Sequence, residues 1–314
     1  MSQSLNLTDA AAYRAYVEQY SDEILQKMLF GFASAKHLKA FEGVKGKLVL
    51  TEMIIGNVIK RYSSTFAPTA NLIAFKPRVL ETVTGKVDVA ITPKEFEASY
   101  LGARRQKGQN SEDLPFEALI VGRLLEQMQK EYEIAVWKAV SAVSPAATDT
   151  LAMLTNGYLK IVADLIAATT KVPVVTGAIT SANAYTNFHK IYNEGVDESL
   201  KDEPLFMFCA PNLANAYKIN VFDSYTKYLE KDATGNNKLL IGDVTIIPTK
   251  GMAGSGRVIL TPANNLLYGY DAPTDGTTLN IEQEKREIHM WTDLMFGVQI
   301  GIIDDGYLVV NDQA

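Results

Sequence analysis

Hydrophobic and polar positions change period along this chain, and the most coherent stretch of pattern runs from residue 71 to residue 143. In VLETVTGKVDVAIT, Val87, Val89 and Ile91 alternate with Lys86, Asp88 and Thr92, the two-residue period of a strand with one apolar face. Thr84-Gly85 supplies a turn signal, so the preceding arm, residues 72–83, reads as the other half of a long extended hairpin. That arm mixes Leu72, Ile73, Phe75, Val79 and Val83 with Lys76, Arg78 and Glu81. Pro77 places it at an edge, because proline donates nothing to a central ladder. Charges on such an edge either block unwanted pairing or grip a partner.

From Pro115 the period becomes helical. Phe116, Ile120, Leu124, Met128, Tyr132, Ala135 and Ala139 recur at three- and four-residue spacing, flanked by Leu119, Leu125, Val136 and Val140, while Arg123, Glu126, Gln127, Lys130 and Glu131 lie elsewhere. Ser111 and Asp113 are candidate caps, and Pro115 suits a first turn, where its missing donor would have had no partner anyway. At about 1.5 Å per residue, some 28 residues span roughly 42 Å, longer than an average helix.

The rest of the chain divides around these two elements. Residues 1–50 read as an arm: Thr8 can cap a helix whose Tyr13, Tyr16, Val17, Tyr20, Ile24 and Met28 fall on one face. The apolar stretch 48–59 fits helix and strand alike. After the linker-like SPAATD, the pattern predicts a helix over 151–169, a short strand at VPVV and a helix over 181–194 capped by Thr180 or Ser181. LFMFCA follows as a buried strand, and Pro211 opens a helix to about residue 228. From residue 238 strands dominate. KLLIGDVTIIPTK and RVILTP flank the glycine turn GMAGSG as a hairpin, NLLYGYD follows, and a long charged strand leads to two apolar strands joined at Asp304-Asp305-Gly306.

Composition sets bounds. The 314 residues are 47% hydrophobic and 21% charged, which suits an ordered protein with one large or two smaller cores. A net charge of -6 gives no general basic footprint for nucleic acid, leaving only local patches such as Arg104-Arg105 with Lys107. The single cysteine, Cys209, excludes an internal disulfide framework and reads as a buried strand residue. MSQSLNLTDA lacks the basic and apolar regions of a signal peptide, and no window approaches a membrane span, so synthesis and folding in the cytosol are expected.

Chemistry is hard to find in the pattern. The cluster Gly251, Gly254, Gly256 lacks the order of a phosphate loop and is followed by a strand where such a loop opens a helix. His37, His189 and His289 are widely spaced, with no zinc-ligand pattern, and each reads as structural. Asp304 and Asp305 precede glycine as turn formers do, and no GxSxG elbow occurs. The expectation is a non-enzyme without metal or cofactor.

The order of elements resembles one family: the major capsid proteins of tailed bacteriophages, with the α+β Hong Kong ninety-seven type capsid fold that encapsulins share. The resemblance rests on an arm, an extended loop over about 65–112, the long helix PFEALIVGRLLEQMQKEYEIAVWKAV, the strand-loop-helix LFMFCAPNLANAYKI, and the succession KLLIGDVTIIPT, VILTPANNLLYGYD, TTLNIEQEKREIHMWTDLMFGVQIGIIDDGYLVV. It implies an N-terminal arm (1–50), an extended loop and peripheral domain with its spine helix (51–148), an axial domain (149–272) and return strands completing the peripheral domain (273–314). It further implies self-assembly through pentamers and hexamers into an icosahedral-type shell around double-stranded DNA, bound without sequence specificity. Portal, scaffolding or decoration proteins are the implied partners, no membrane is involved, and the implied location is the virion, assembled in host cytoplasm.

Within that resemblance, nothing singles out a crosslinking trio among Lys76, Lys86 and Lys94, so no covalent crosslink is expected, and the loop begins too early for a long cleaved scaffolding region before it. Candidate inter-subunit contacts are Tyr13, Tyr16 and Tyr20 of the arm and Arg78, Lys86, Arg104 and Arg105 of the loop, since aromatic and arginine anchors dominate contacts. Two other readings stand beside this one. An encapsulin-like compartment would share the fold and carry an enzyme cargo. A soluble α/β enzyme would assemble a site from Asp304, His289 and distant residues.

Overall fold

The computed structural model describes residues 19–55, 58–59, 61–62, 64, 73–92, 116–144, 146, 148–225, 231, 235–239, 242–271, 280–284 and 287–313. In chain order it contains α1 (Ser21–Phe30), β1 (Lys39–Glu42), β2 (Lys47–Ile55), β3 (Ile73–Glu81), β4 (Val83–Ile91), α2 (Phe116–Lys138), α3 (Tyr158–Ala167), α4 (Ala184–Gly195), β5 (Leu205–Cys209), α5 (Pro211–Tyr225), β6 (Val244–Pro248), β7 (Val258–Pro262), β8 (Leu266–Asp271), β9 (Asn280–Glu284), β10 (Glu287–Ile300) and β11 (Val309–Val310). The strands form a five-stranded sheet ordered β1-β8-β10-β4 with β9 also on β10, a four-stranded sheet ordered β11-β7-β5-β6, and a two-stranded ribbon, β2-β3.

The long helix α2 joins the two larger sheets. Its buried positions Val121, Leu125, Met128, Tyr132, Ala135 and Val136 keep helical spacing. Near its end the Tyr132 ring meets Phe296 of β10 edge-on at 5.4 Å, while Trp137 lies 5.3 Å from Phe208 of β5 and 5.2 Å from Tyr158 of α3. One helix thus carries core from both sheets, and Trp137, Tyr132, Tyr158, Phe208 and Phe296 are among the largest fully buried side chains. The helix spans 23 residues where about 28 were expected. It stops because the chain turns to pair elsewhere: Val140 N donates to Ala152 O (2.9 Å), Ala142 N to Met153 O (2.8 Å) and Gly157 N to Ala139 O (2.8 Å). The candidate caps Ser111 and Asp113 lie outside the described residues.

The expected hairpin across Thr84-Gly85 does not form. β3 pairs antiparallel with β2, the stretch whose type the pattern left open, from Lys47↔Glu81 to Ile55↔Ile73. β4 pairs with β10 instead, from Ile288↔Ile91 to Phe296↔Val83. Gly85 is a strand residue, and a Cβ there would lie 3.1 Å from the Leu154 side chain. The chain changes sheets at Thr82, where Thr82 N donates to Gly46 O (2.7 Å) and Thr82 Oγ1 to Val44 O (2.7 Å). A two-residue period is the same whichever neighbour a strand takes, so periodicity alone could not choose the partner.

Other expectations change for similar reasons. Residues 151–169 break into a 3-10 turn, Leu151–Met153, and α3, because Gly157 sits where a Cβ would be 2.7 Å from the Trp137 backbone. α4 begins at Ala184, with Asn183 Oδ1 accepting from Thr180 N at 2.7 Å. VPVV contributes a single bridge, Val174 to Asn311. The segments flanking GMAGSG are not a hairpin: β6 runs parallel to β5 and β7 antiparallel to it. The expected apolar hairpin at Asp304-Asp305-Gly306 is absent too. β10 belongs to the five-stranded sheet, whereas β11 crosses to pair with β7 of the four-stranded one. The charged stretch folds back on itself as β9 and β10, from Glu287↔Glu284 to Trp291↔Asn280.

Candidate interaction surface

The β2-β3 ribbon is a hydrogen-bonded ladder of its own and has two unlike faces. Alternation puts Ile73, Phe75 and Val79 of β3 on one face with Val49 of β2, directly opposite Val79. That face is wet: Phe75 is 63% exposed, Val49 59%, Ile73 51% and Val79 40%. Large apolar side chains are thus left side by side in solvent on a two-stranded ribbon, which makes this face the candidate surface.

The opposite face is held by the molecule's own body. Leu80 is fully buried, against Gly269 of β8, where a Cβ would come within 2.9 Å of it. At Gly297 of β10 a Cβ would lie 2.0 Å from Glu81 O, so only glycine lets the ribbon root approach this closely. Farther out, Gln299 Nε2 donates to Val79 O (2.8 Å), and Arg78 donates to Ile300 O (3.3 Å) and Gln299 Oε1 (3.3 Å). Lys76 pairs with Asp304 at 2.5 Å.

The candidate contacts are therefore distributed unevenly. Arg78 is half-buried and turned toward its own chain. Lys86 lies in another sheet, on β4, exposed and paired with Asp88 at 2.5 Å. That hydrogen bond and the Asp88 charge raise its pKa above the ordinary lysine value. Tyr20 precedes α1 and is 39% exposed, and Ile24 and Met28 on the helix below it are buried. Tyr13, Tyr16, Arg104 and Arg105 lie outside the described residues. The apolar face of Val49, Ile73, Phe75 and Val79 is not among the aromatic and charged anchors that the sequence suggests. Its signal was present in the odd-numbered positions of β3, which turn apolar where a solvated edge would be polar.

Cys209, Gly251, His189, His289 and the Asp304-Asp305 pair each pack or bond within the chain. Cys209 is buried in β5, and burial pushes its thiol up to about 12, far from a reactive thiolate. Gly251 tucks beneath α2, its N–H 3.4 Å from Glu133 Oε1, in a 3-10 turn, Lys250–Met252. Glu133 also accepts from Ser34 N (2.9 Å) and Ser34 Oγ (2.6 Å), and Trp137 Nε1 donates to that same Ser34 Oγ (2.8 Å). His189 is buried against Tyr185, with ring centroids 4.2 Å apart, and His289 pairs with Glu287 at 3.3 Å. Asp304 and Asp305 face two different lysines, Lys76 and Lys171. Among the described residues no group of three or more His, Cys, Asp or Glu could hold a metal ion, and no helix is long and apolar enough to cross a membrane.

No family model matches the sequence, and no curated protein matches it. Solved structures do match. A chain of the satellite phage P4 procapsid that includes the size determination protein aligns with a TM-score of 0.56 at 13% identity, covering 96% of this chain and 95% of that one. A chain from Gordonia phage Cozz aligns at 0.53 and 13% identity, covering 88% and 84%. One from the capsid of an empty GTA particle aligns at 0.52 and 10% identity, covering 89% and 88%. At such identities the likeness is one of fold, and it extends over nearly the whole chain. The architecture is the α+β Hong Kong ninety-seven type capsid fold. The particular proteins it resembles are phage capsid proteins.

Proposed function

We propose that this chain is a structural subunit, the major capsid protein of a tailed bacteriophage, which assembles as pentamers and hexamers into an icosahedral-type shell enclosing double-stranded DNA. The observation that carries this reading is the ribbon: two strands whose outer face leaves Phe75, Val49, Ile73 and Val79 in solvent, in a chain with a capsid fold. An isolated chain gains nothing from that exposure, whereas a neighbouring copy covering it removes apolar area from water at every subunit. Each copy in a closed shell is held at several edges together, so individually weak contacts give a durable particle. In this reading the five-stranded sheet with α2 and the ribbon forms the peripheral part, and the four-stranded sheet with α4 and α5 the axial part that surrounds the ring centres.

The arm with Tyr13, Tyr16 and Tyr20, and the exposed Lys86 with Arg104 and Arg105, serve as secondary contacts. The net charge of -6 suits a container that must release its genome, because tight phosphate binding needs clustered Lys or Arg. Portal, scaffolding or decoration proteins would complete the particle in host cytoplasm. The reading is tested by purifying particles formed in infected or expressing cells and treating them with nuclease. DNA that survives treatment supports a genome container, whereas a bound protein cargo with no protected DNA makes the shell an encapsulin-like compartment.

A further inference from the structure

The turn at residues 303–306 touches the ribbon on one side and the four-stranded sheet's surroundings on the other. Lys171, only 3% exposed, donates to Asp304 O (3.0 Å) and Ile303 O (3.4 Å) and pairs with Asp305 Oδ1 (2.9 Å). A buried ammonium with three acceptors is costly to dislodge, because breaking it leaves a charge unpaired away from water. The turn is closed from within as well: Tyr307 N and Leu308 N both donate to Asp304 O at 3.2 Å, and Gly306 O accepts from Asp197 N at 3.4 Å. Gly306 has φ +86, and a Cβ there would lie 2.8 Å from Asp197 N. The turn is therefore a fixed point of the body.

From that fixed point the Asp304 side chain reaches the ribbon through Lys76. The ribbon's root is the buried Leu80 and the Thr82 bonds to Val44 O and Gly46 O. Lys76 is four residues beyond Leu80, roughly 13 Å outward along a strand. Between them lie the Gln299 and Arg78 bonds at Val79 O, Gln299 Oε1 and Ile300 O. A contact that far from the pivot resists tilting with the longest lever arm of the set. It is also the most easily opened, because the side chains of Lys76 and Asp304 are 49% and 40% exposed, where water and salt weaken an ion pair.

We propose that the 303–306 turn is a tilt lock for the ribbon: Lys171 anchors the turn to the body, and Asp304 fixes the angle at which the ribbon presents its apolar face. Opening the Lys76–Asp304 clasp lets the ribbon swing about Leu80 and Thr82 while the root stays folded. This regulates the surface proposed above to build the shell and rests on that reading for its consequence, though not for its test.

The test is hydrogen exchange on the unassembled subunit, comparing wild type, Asp304→Asn, and the exchanged pair Lys76→Asp with Asp304→Lys. Asp304→Asn removes the clasp charge and leaves the carbonyl that Lys171 holds. The expected result is ribbon exchange over 47–55 and 73–79 faster by roughly threefold or more, with β5 and β7 unchanged. The exchanged pair should return it toward wild type. Raising salt should accelerate the wild-type ribbon more than that of Asp304→Asn, in which the exposed Lys47–Glu81 pair still responds. Unchanged ribbon exchange in Asp304→Asn overturns the lock, as does acceleration spread equally over β5 and β7, or failure of the exchanged pair to restore protection. All three chains carry Phe75→Asp so that each is compared as a free subunit, which makes these outcomes independent of whether wild type assembles.

Discussion

Glu133 shows how single residues in this chain do structural work where a catalytic role could be imagined. It is 5% exposed, and its carboxylate is satisfied by Ser34 and the Gly251 N–H, so one side chain of α2 ties down the segment after α1 and the turn between β6 and β7. Ser34→Ala removes a donor to Glu133 and the acceptor for the Trp137 indole. The expected loss is about 1–3 kcal/mol in urea unfolding, and an unchanged midpoint would show that the junction contributes nothing. Gly251→Ala should also destabilise, by about 1–3 kcal/mol, because its Cβ would fall 2.2 Å from Glu133 O and 2.4 Å from Trp137 Cδ1. His189 gives the pH dependence. Burial lowers its pKa to about 4, below the value near 6.5 of an unfolded chain. The fold therefore holds it neutral; its contribution is complete above about 6.5 and is lost as pH falls toward 4. His189→Leu should flatten stability across that window in a series of denaturation curves, and an equally steep decline in the variant would remove His189 as the cause.

At the scale of elements, α2 was legible because its buried stripe repeats over many turns and no competing period interrupts it. β5, with every side chain apolar, and α5, opened by Pro211, were legible from length and punctuation. Strand pairing was not. Thr84-Gly85 looks like a turn only while the Leu151 and Leu154 side chains that pack on Gly85 are out of view, and Asp304-Asp305-Gly306 looks like a hairpin until Lys171 turns the chain toward the other sheet. Both errors arise where a distant side chain decides a local geometry. Of the candidate surface, Arg78 lies on the same strand as Phe75, but its guanidinium bonds its own chain, while Phe75 on the alternate face carries the exposure. Phe75→Asp should accordingly leave the subunit's circular dichroism and urea midpoint unchanged, since its ring is 63% exposed, and reduce particle yield at least tenfold. Arg78→Glu should instead loosen the ribbon, visible as faster exchange in β2 and β3 before any effect on particles. Wild-type particle yield from Phe75→Asp would place the interface elsewhere.

Among the described residues, two larger sheets share core through α2, and the β2-β3 ribbon lies with one face on the five-stranded sheet. The aromatic side chains of α2 reach into both sheets, so the two sheets share one packed core. That arrangement suits a subunit which must hold its neighbours at fixed angles over a large surface, where small angular errors accumulate around a ring. The same body offers exposed apolar positions on its own account, Ile219 and Phe222 of α5 among them, so contact need not be confined to the ribbon. The most direct test is the size of the purified wild-type chain, by light scattering behind size exclusion with negative-stain images of the same fraction. The account predicts hollow particles in the megadalton range with a uniform diameter. A population that stays at tens to a few hundred kilodaltons across concentrations and salt conditions, with no closed particles in the images, would contradict it.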